Sequence, residues 1–287
     1  MADPKTFLDR YTNLTFTNPL DNTKVTVQIT AYGAGWEERD KGNGPQGPDC
    51  QSESQKFQQA VNKALNGNAF KPSGKSFQFD KTPLANIPAT ETFTEWGFVK
   101  AFLGKGSPDD IAATLRVGMA VGRIGTGKDA NGLPAAAATP AQYVGKFISL
   151  DCNGFTGNFL GTNPETRPRT YAVAARCRRM LSEVQQGDVA VTFTLKGEAE
   201  HIALIQSWSA SPASADGKRG TCSVAVVEWG ERGDESKHFH SSTANDFAVG
   251  PNNDFPDKFP GIYFVSSSAK DPTTNKSLKI RYIFAPP

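Results

Sequence analysis

Long apolar runs are missing from this chain. None approaches the ~18–20 residues needed to cross a bilayer as a helix, so a spanning segment is not expected. The first residues, "MADPKTFLDRYTNLTF", lack the basic-then-apolar layout of a secretory leader. The expectation is a chain made in the cytoplasm, whose export, if any, would use a dedicated injection route to a target periplasm. Charge excess is also missing: 31 Lys and Arg stand against 29 Asp and Glu, leaving a net charge of +2. So small an excess supplies no general field for nucleic acid or an anionic membrane. Cysteine is scarce. Cys50, Cys152, Cys177 and Cys222 show no Cys-x-x-Cys spacing, which speaks against a zinc knuckle. They read most simply as reduced thiols, with the pairing of Cys50, Cys177 and Cys222 left open.

What is present suits a globular protein of one large domain or two modest ones. "TKVTVQITAY" (23–32) alternates apolar and polar residues as a half-buried strand does. A loop-rich stretch follows (33–50). Then comes a helix with Ser52 as cap, Gln55 three residues on, and Phe57, Ala60, Val61, Ala64 and Leu65 on one face, ended by Gly67. "SPDD" (107–110) opens a second helix, capped by Ser107, with Pro108 in its first turn and an Ile111, Leu115, Met119 stripe. The Gly-, Ala- and Pro-rich "GTGKDANGLPAAAATPA" (125–141) reads as a boundary.

Beyond it, a short helix is expected near Cys152 and a longer one over 170–186, with Val173, Ala174, Cys177, Met180, Leu181 and Val184 on one face. Strands are expected at 188–195, 201–208, 222–229, 261–265 and 278–284. Helices followed by antiparallel strands point to an α+β domain. The division is 1–140, an N-terminal α/β extension of unassigned role, and 141–287, the domain carrying the chemistry.

The stretch "ISLDCNGFTGNFLG" (148–161) offers the sharpest signal. Cys152 reads as a small buried hydrophobe, a metal ligand or a nucleophile. Thiolate is the reactive form of cysteine, and a helix N-terminus stabilises it through unpaired N–H groups and a positive dipole end. Gly154 and Gly157 would keep one helix face thin for an approaching substrate backbone, with Phe155, Phe159 and Leu160 anchoring the other. A cysteine nucleophile needs a base. His201 heads the strand "HIALIQSW" after the glycine turn of "QQGDVAVTF". A third group should accept the other imidazole N–H. Glu228 ends the next strand, "CSVAVVEW"; Asn245 and Asp246 are substitutes, and Gln206 is weaker.

"LDCNGF" resembles the Asp-Cys-Ser-Gly nucleophile signature of NlpC-type and CHAP-type papain-like cysteine peptidases, with Asn153 in the serine's place. "GDVAVTF…EHIALIQS" resembles their Gly-Asp strand followed by the strand that carries the histidine. "QYVGKFISLDC" is similar to the segment whose tyrosine lies beside the nucleophile, which puts Tyr143 there. The resemblance covers about 141–230, roughly a third of the chain.

It implies a papain-like core, a nucleophile helix packed on an antiparallel sheet. Cys152, His201 and Glu228 would be catalytic, and Tyr143, Asp151, Asn153 and Gly154 would form the substrate and oxyanion neighbourhood. It implies a peptidase or amidase, without metal or cofactor, that cleaves peptidoglycan peptides. In that setting the chain is an injected antibacterial effector, whose producer would need an immunity protein, or a phage lysis protein. The alternatives are a deamidase or protease acting on host proteins, and a non-catalytic binding module on the same scaffold. Three further motifs carry less. "GRIGTGKD" (122–129) fits a phosphate loop except that Asp129 replaces the Ser or Thr for magnesium. "HFH" (238–240) puts His238 and His240 on one face of an extended segment without a third ligand nearby, and reads as an exposed strand. Cys177 reads as core despite the arginines around it.

Overall fold

A computed structural model describes residues 3–33, 47–64, 76–78, 92–229, 239–256, 258–265 and 279–287. They form α-helices α1 (Pro4–Thr12), α2 (Gly47–Ala64), α3 (Glu95–Leu103), α4 (Pro108–Ala120), α5 (Pro140–Phe147), α6 (Cys152–Leu160) and α7 (Pro168–Tyr171). The strands are β1 (Leu14–Thr17), β2 (Lys24–Val27), β3 (Ser76–Gln78), β4 (Thr92–Thr94), β5 (Val189–Thr194), β6 (Ala199–Pro212), β7 (Arg219–Val227), β8 (Phe239–Val249), β9 (Ile262–Val265) and β10 (Lys279–Phe284). Two compact units result. The barrel unit holds Met1–Leu8, Phe155–Gly230 and Ser236–Pro287; the helical unit holds Asp9–Gly154. The division falls inside α6, whereas the composition boundary at 125–141 lies within the helical unit.

In the barrel unit, β5 to β10 form an antiparallel meander that closes when β10 pairs with β5. Alternate residues turn inward to build the core: Ala190, Ala203, Ile205, Cys222, Val224, Val226, Phe247, Ile262, Phe264 and Ile283. β5 is buried along most of its length, so Val189, Val191 and Phe193 are covered as well. Of strand β8 the sequence showed only its start, the strand read at 238–240; "SSTANDFAV" has no apolar alternation, and pairing with β7 and β9 forms the rest.

The long helix expected over 170–186 is absent. Only α7 and two short 3₁₀ turns, Ala174–Arg176 and Leu181–Glu183, occur there. The segment's backbone bonds to strand edges instead: Arg178 N–H donates to Ile283 O (3.0 Å), and Arg178 O accepts from Ile262 N–H (2.7 Å). Cys177 forms an antiparallel bridge with Phe284. The Arg178 guanidinium grips Asp188 through two bonds, 2.9 and 2.6 Å. Sheet-edge pairing thus overrides the 3.6-residue periodicity. Cys177 is buried as expected, though not on a helix, while Val173 and Met180 are exposed.

The helical unit centres on aromatic rings from α2, α3 and α5. Phe57 lies 5.2 Å from Phe98 and 5.6 Å from Phe102, and Tyr143 lies 5.1 Å from Phe147. Ser107 caps α4 in a full capping box with Asp110. Ser52 does not cap α2, which starts at Gly47 with Asp49 in its first turn, so Ser52 sits inside the helix. Leu65 and Gly67 lie outside the described residues. The strand read over 23–32 is shorter, confined to β2. The Gly-rich segment after α4 is a folded loop rather than a linker. Asp129 accepts from Asn131 N–H (2.8 Å), Leu133 N–H (2.9 Å) and Arg123 Nη1 (2.8 Å). The residue that spoils the phosphate-loop motif is the loop's anchor.

Burial pushes the thiols of Cys177 and Cys222 up to about 12. In the unfolded chain they ionise at about 8.5–9, so the folded state holds their protons more tightly. Their contribution is complete below that range and is lost as pH rises toward about 12. Thermal midpoints measured across this window should fall, and the fall should be shallower in a Cys177→Ala/Cys222→Ala variant.

Candidate active site

Helix α6 begins at Cys152 because Asp151 caps it. The Asp151 Oδ1 oxygen accepts from Gly154 N–H at 2.5 Å, and the carboxylate also pairs with Lys105. Asp151 N–H donates to Gly104 O (3.0 Å), which ties the helix start to the end of α3. Cys152 is 4% exposed, and its thiol lies 3.8 Å from Asn153 Oδ1. Gly154 is dictated by close packing: a Cβ there would stand 2.2 Å from Gly104 O. A Cβ at Gly157 would stand 2.6 Å from Pro164 Cα. The two glycines therefore admit the protein's own backbone, which corrects the expectation of a face kept thin for substrate. Of the apolar anchors, Phe155 is fully buried and packs 5.7 Å from Phe7, while Phe159 and Leu160 are half-buried.

The resemblance puts Tyr143 beside the nucleophile. In the structure its hydroxyl donates to Glu53 Oε1 (2.8 Å), and its ring is wholly buried in the helical unit. Burial first, then the neighbouring Glu53 charge, pushes the phenol well above its ordinary range, so it stays a neutral donor. Glu53 in turn pairs with Arg123 through both oxygens. The sequence reading missed Glu53. Its signal was an acid in register with Cys50, Phe57 and Ala60 on the buried stripe of α2.

On the barrel, His201 and Glu228 meet. His201 Nε2 lies 3.1 Å from Glu228 Oε2. The same carboxylate oxygen takes Arg281 Nη2 at 2.8 Å, and Arg281 Nε donates to Thr192 Oγ1 at 3.0 Å. The register explains the cluster. Arg281 faces Thr192 across β10–β5, and Thr192 faces His201 across β5–β6. Two residues along each strand, Ile283, Ala190 and Ala203 point into the core, so the polar residues continue the inward rows at one end of the barrel. His201 is the third residue of β6 rather than its first, and Glu228 directly follows β7. An ionised carboxylate only accepts, so Nε2 is the ring nitrogen that carries the hydrogen of this bond.

Asn245 and Asp246 cannot replace Glu228. They pair with Cys222 and Thr221, which lie six and seven residues, roughly 20 Å or more of extended chain, before Glu228. Gln206 bonds Asp3 and Lys5 N–H. The structure thus unites His201 with Glu228 in the barrel unit and places Cys152 in the helical unit. Arg281 and Thr192 were not legible beforehand, since only barrel closure reveals them. Among the described residues, no group of three or more His, Cys, Asp or Glu could hold a metal ion, and no helix is long and apolar enough to cross a membrane. His238 lies outside the described residues.

Comparison with known proteins returns no match: no family model, no curated protein and no solved structure corresponds to this chain.

Two results should follow from this geometry. Gly154→Ala should destabilise the fold by roughly 1–3 kcal/mol in urea titration, whereas Gly145→Ala, with open space at its Cβ, should be neutral or stabilising. Nitrogen-15 shifts of neutral His201 should report the Nε2–H tautomer, and Glu228→Ala should abolish that preference.

Proposed function

We propose that the chain is a papain-like cysteine hydrolase that cleaves amide bonds in peptidoglycan peptides. The observation that carries this reading is the Glu228 carboxylate holding His201 through Nε2, with Arg281 fixing the carboxylate in turn. A base so oriented suits a group that must lose a proton, and the signature-like "LDCNGF" supplies one in Cys152.

The reading requires thiol and imidazole to act as a pair. The Cys152 thiol gives its proton to His201 Nδ1, and the thiolate attacks the amide carbonyl. The Cys152 N–H, first of α6 and without an intrahelical acceptor, helps hold the oxyanion. As the C–N bond breaks, the imidazolium protonates the leaving amine, and a thioester remains on Cys152. Water then attacks the thioester carbonyl and yields its proton to His201. The C–S bond breaks, releasing the acid and restoring the thiol. Asp151 and Lys105 contribute by fixing the helix start. Delivery into a rival cell, with an immunity protein guarding the producer, is the setting this activity suits.

Incubation of purified protein with cell-wall sacculi, followed by mass spectrometry of the soluble muropeptides, tests the proposal. Wild type should release new fragments, and Cys152→Ala should reduce the release at least about 100-fold. Identical profiles from the two proteins would overturn it.

A further inference from the structure

The helical unit contains a cleft of about 630 Å³ to which the hydrolase reading gives no task. Its wall is α2, through Asp49, Ser52, Glu53 and Lys56; Pro134 and Ala136 of the folded loop and Lys146 and Phe147 at the end of α5 complete it. That volume falls within the range of small-ligand sites, about 300–1,000 Å³.

The floor is built from buried charge. Arg123 and Glu53 are 3% exposed each, and Arg123 also binds Asp129 and the Pro134 carbonyl. Burial alone would lower the Arg123 pKa, but the bonds and charge of Glu53 outweigh it and the net shift is upward, so the ion is fixed. Such networks seldom stabilise a fold better than apolar packing. This one ties α2, the loop and, through Tyr143, α5 to a single carboxylate, and so fixes the cleft's three walls.

The floor's bonds are spent on itself, so a ligand's charges must be read at the rim. Asp49, Lys56 and Lys146 are exposed there, and among the described residues none is in an ion pair. Asp49 and Glu53 lie four apart on one stripe of α2, an acidic edge; Ser52 and Lys56 lie four apart on the next. Lys146 adds a second cation from α5, and the half-buried Phe147 ring adds an apolar surface between polar groups.

A cleft with acid on one stripe, two uncompensated ammonium groups and one aromatic ring matches a ligand bearing both charges on a small apolar body. We propose that this cleft is a binding site for zwitterionic peptides or amino acids, the ligand's ammonium set on Asp49 at the rim and its carboxylate on Lys56 and Lys146. The site is independent of Cys152, and its occupant need not be the bond that is cut.

The test uses the full chain as Cys152→Ala, so that no probe is hydrolysed, with NMR titration of trialanine, N-acetyl-trialanine and trialanine amide. Trialanine should shift the amides of residues 49–56 and 145–147 and bind at least about tenfold more tightly than either blocked form. Lys146→Glu should abolish the preference over the amide, and Asp49→Asn the preference over the acetylated form. Both positions are exposed, so the fold should persist, as unchanged spectra elsewhere would verify. No shifts at these residues, or equal affinity for all three probes, would overturn the site whatever the muropeptide result.

Discussion

The pairing of β10 with β5 is the constraint on which the barrel and its polar end depend. It joins residues nearly ninety positions apart, and Arg281 reaches Thr192 only because the meander closes. Closure removes the two sheet edges that would otherwise need cover. It also directs Thr192, His201, Glu228 and Arg281 to one end of the inward rows. There one carboxylate oxygen serves both an imidazole and a guanidinium. Arg281 and Glu228 are both largely desolvated, so truncating either one would leave the other's charge part-buried, at a cost in stability. The cluster is thus held by the topology, and the imidazole's orientation follows from it.

The helical unit applies the same logic around a different carboxylate. Glu53 collects Arg123 and Tyr143, and Arg123 collects Asp129, so a helix, a loop and a second helix hang on one buried group. The start of α6 is fixed in the same unit by Asp151, shared between Lys105 and the Gly154 amide. Gly154 has no freedom to change, since the Gly104 carbonyl occupies the space a side chain would need.

Local signals were read well from the sequence, and distant ones poorly. The helix starts at Ser107 and Cys152 were visible because capping and glycine chemistry are local. Five barrel strands were visible because their apolar residues cluster or alternate. Beyond its start at 239–240, strand β8 was invisible because pairing with β7 and β9, not alternation, makes it a strand. The segment 170–186 misled because its apolar spacing fits a helix, while its backbone is claimed by Ile262 and Ile283. His201 and Glu228 could be named as a pair from order along neighbouring strands. Arg281 and Glu53 could not, since their partners lie 53 to 90 positions away, beyond any local pattern.

We propose that His201 serves Cys152. This is tested most directly by the rate at which a chloroacetyl peptide alkylates Cys152, followed by intact-mass spectrometry in wild type and His201→Ala. Modification at Cys152 should slow at least about 100-fold without the imidazole. Equal rates in the two proteins would contradict it.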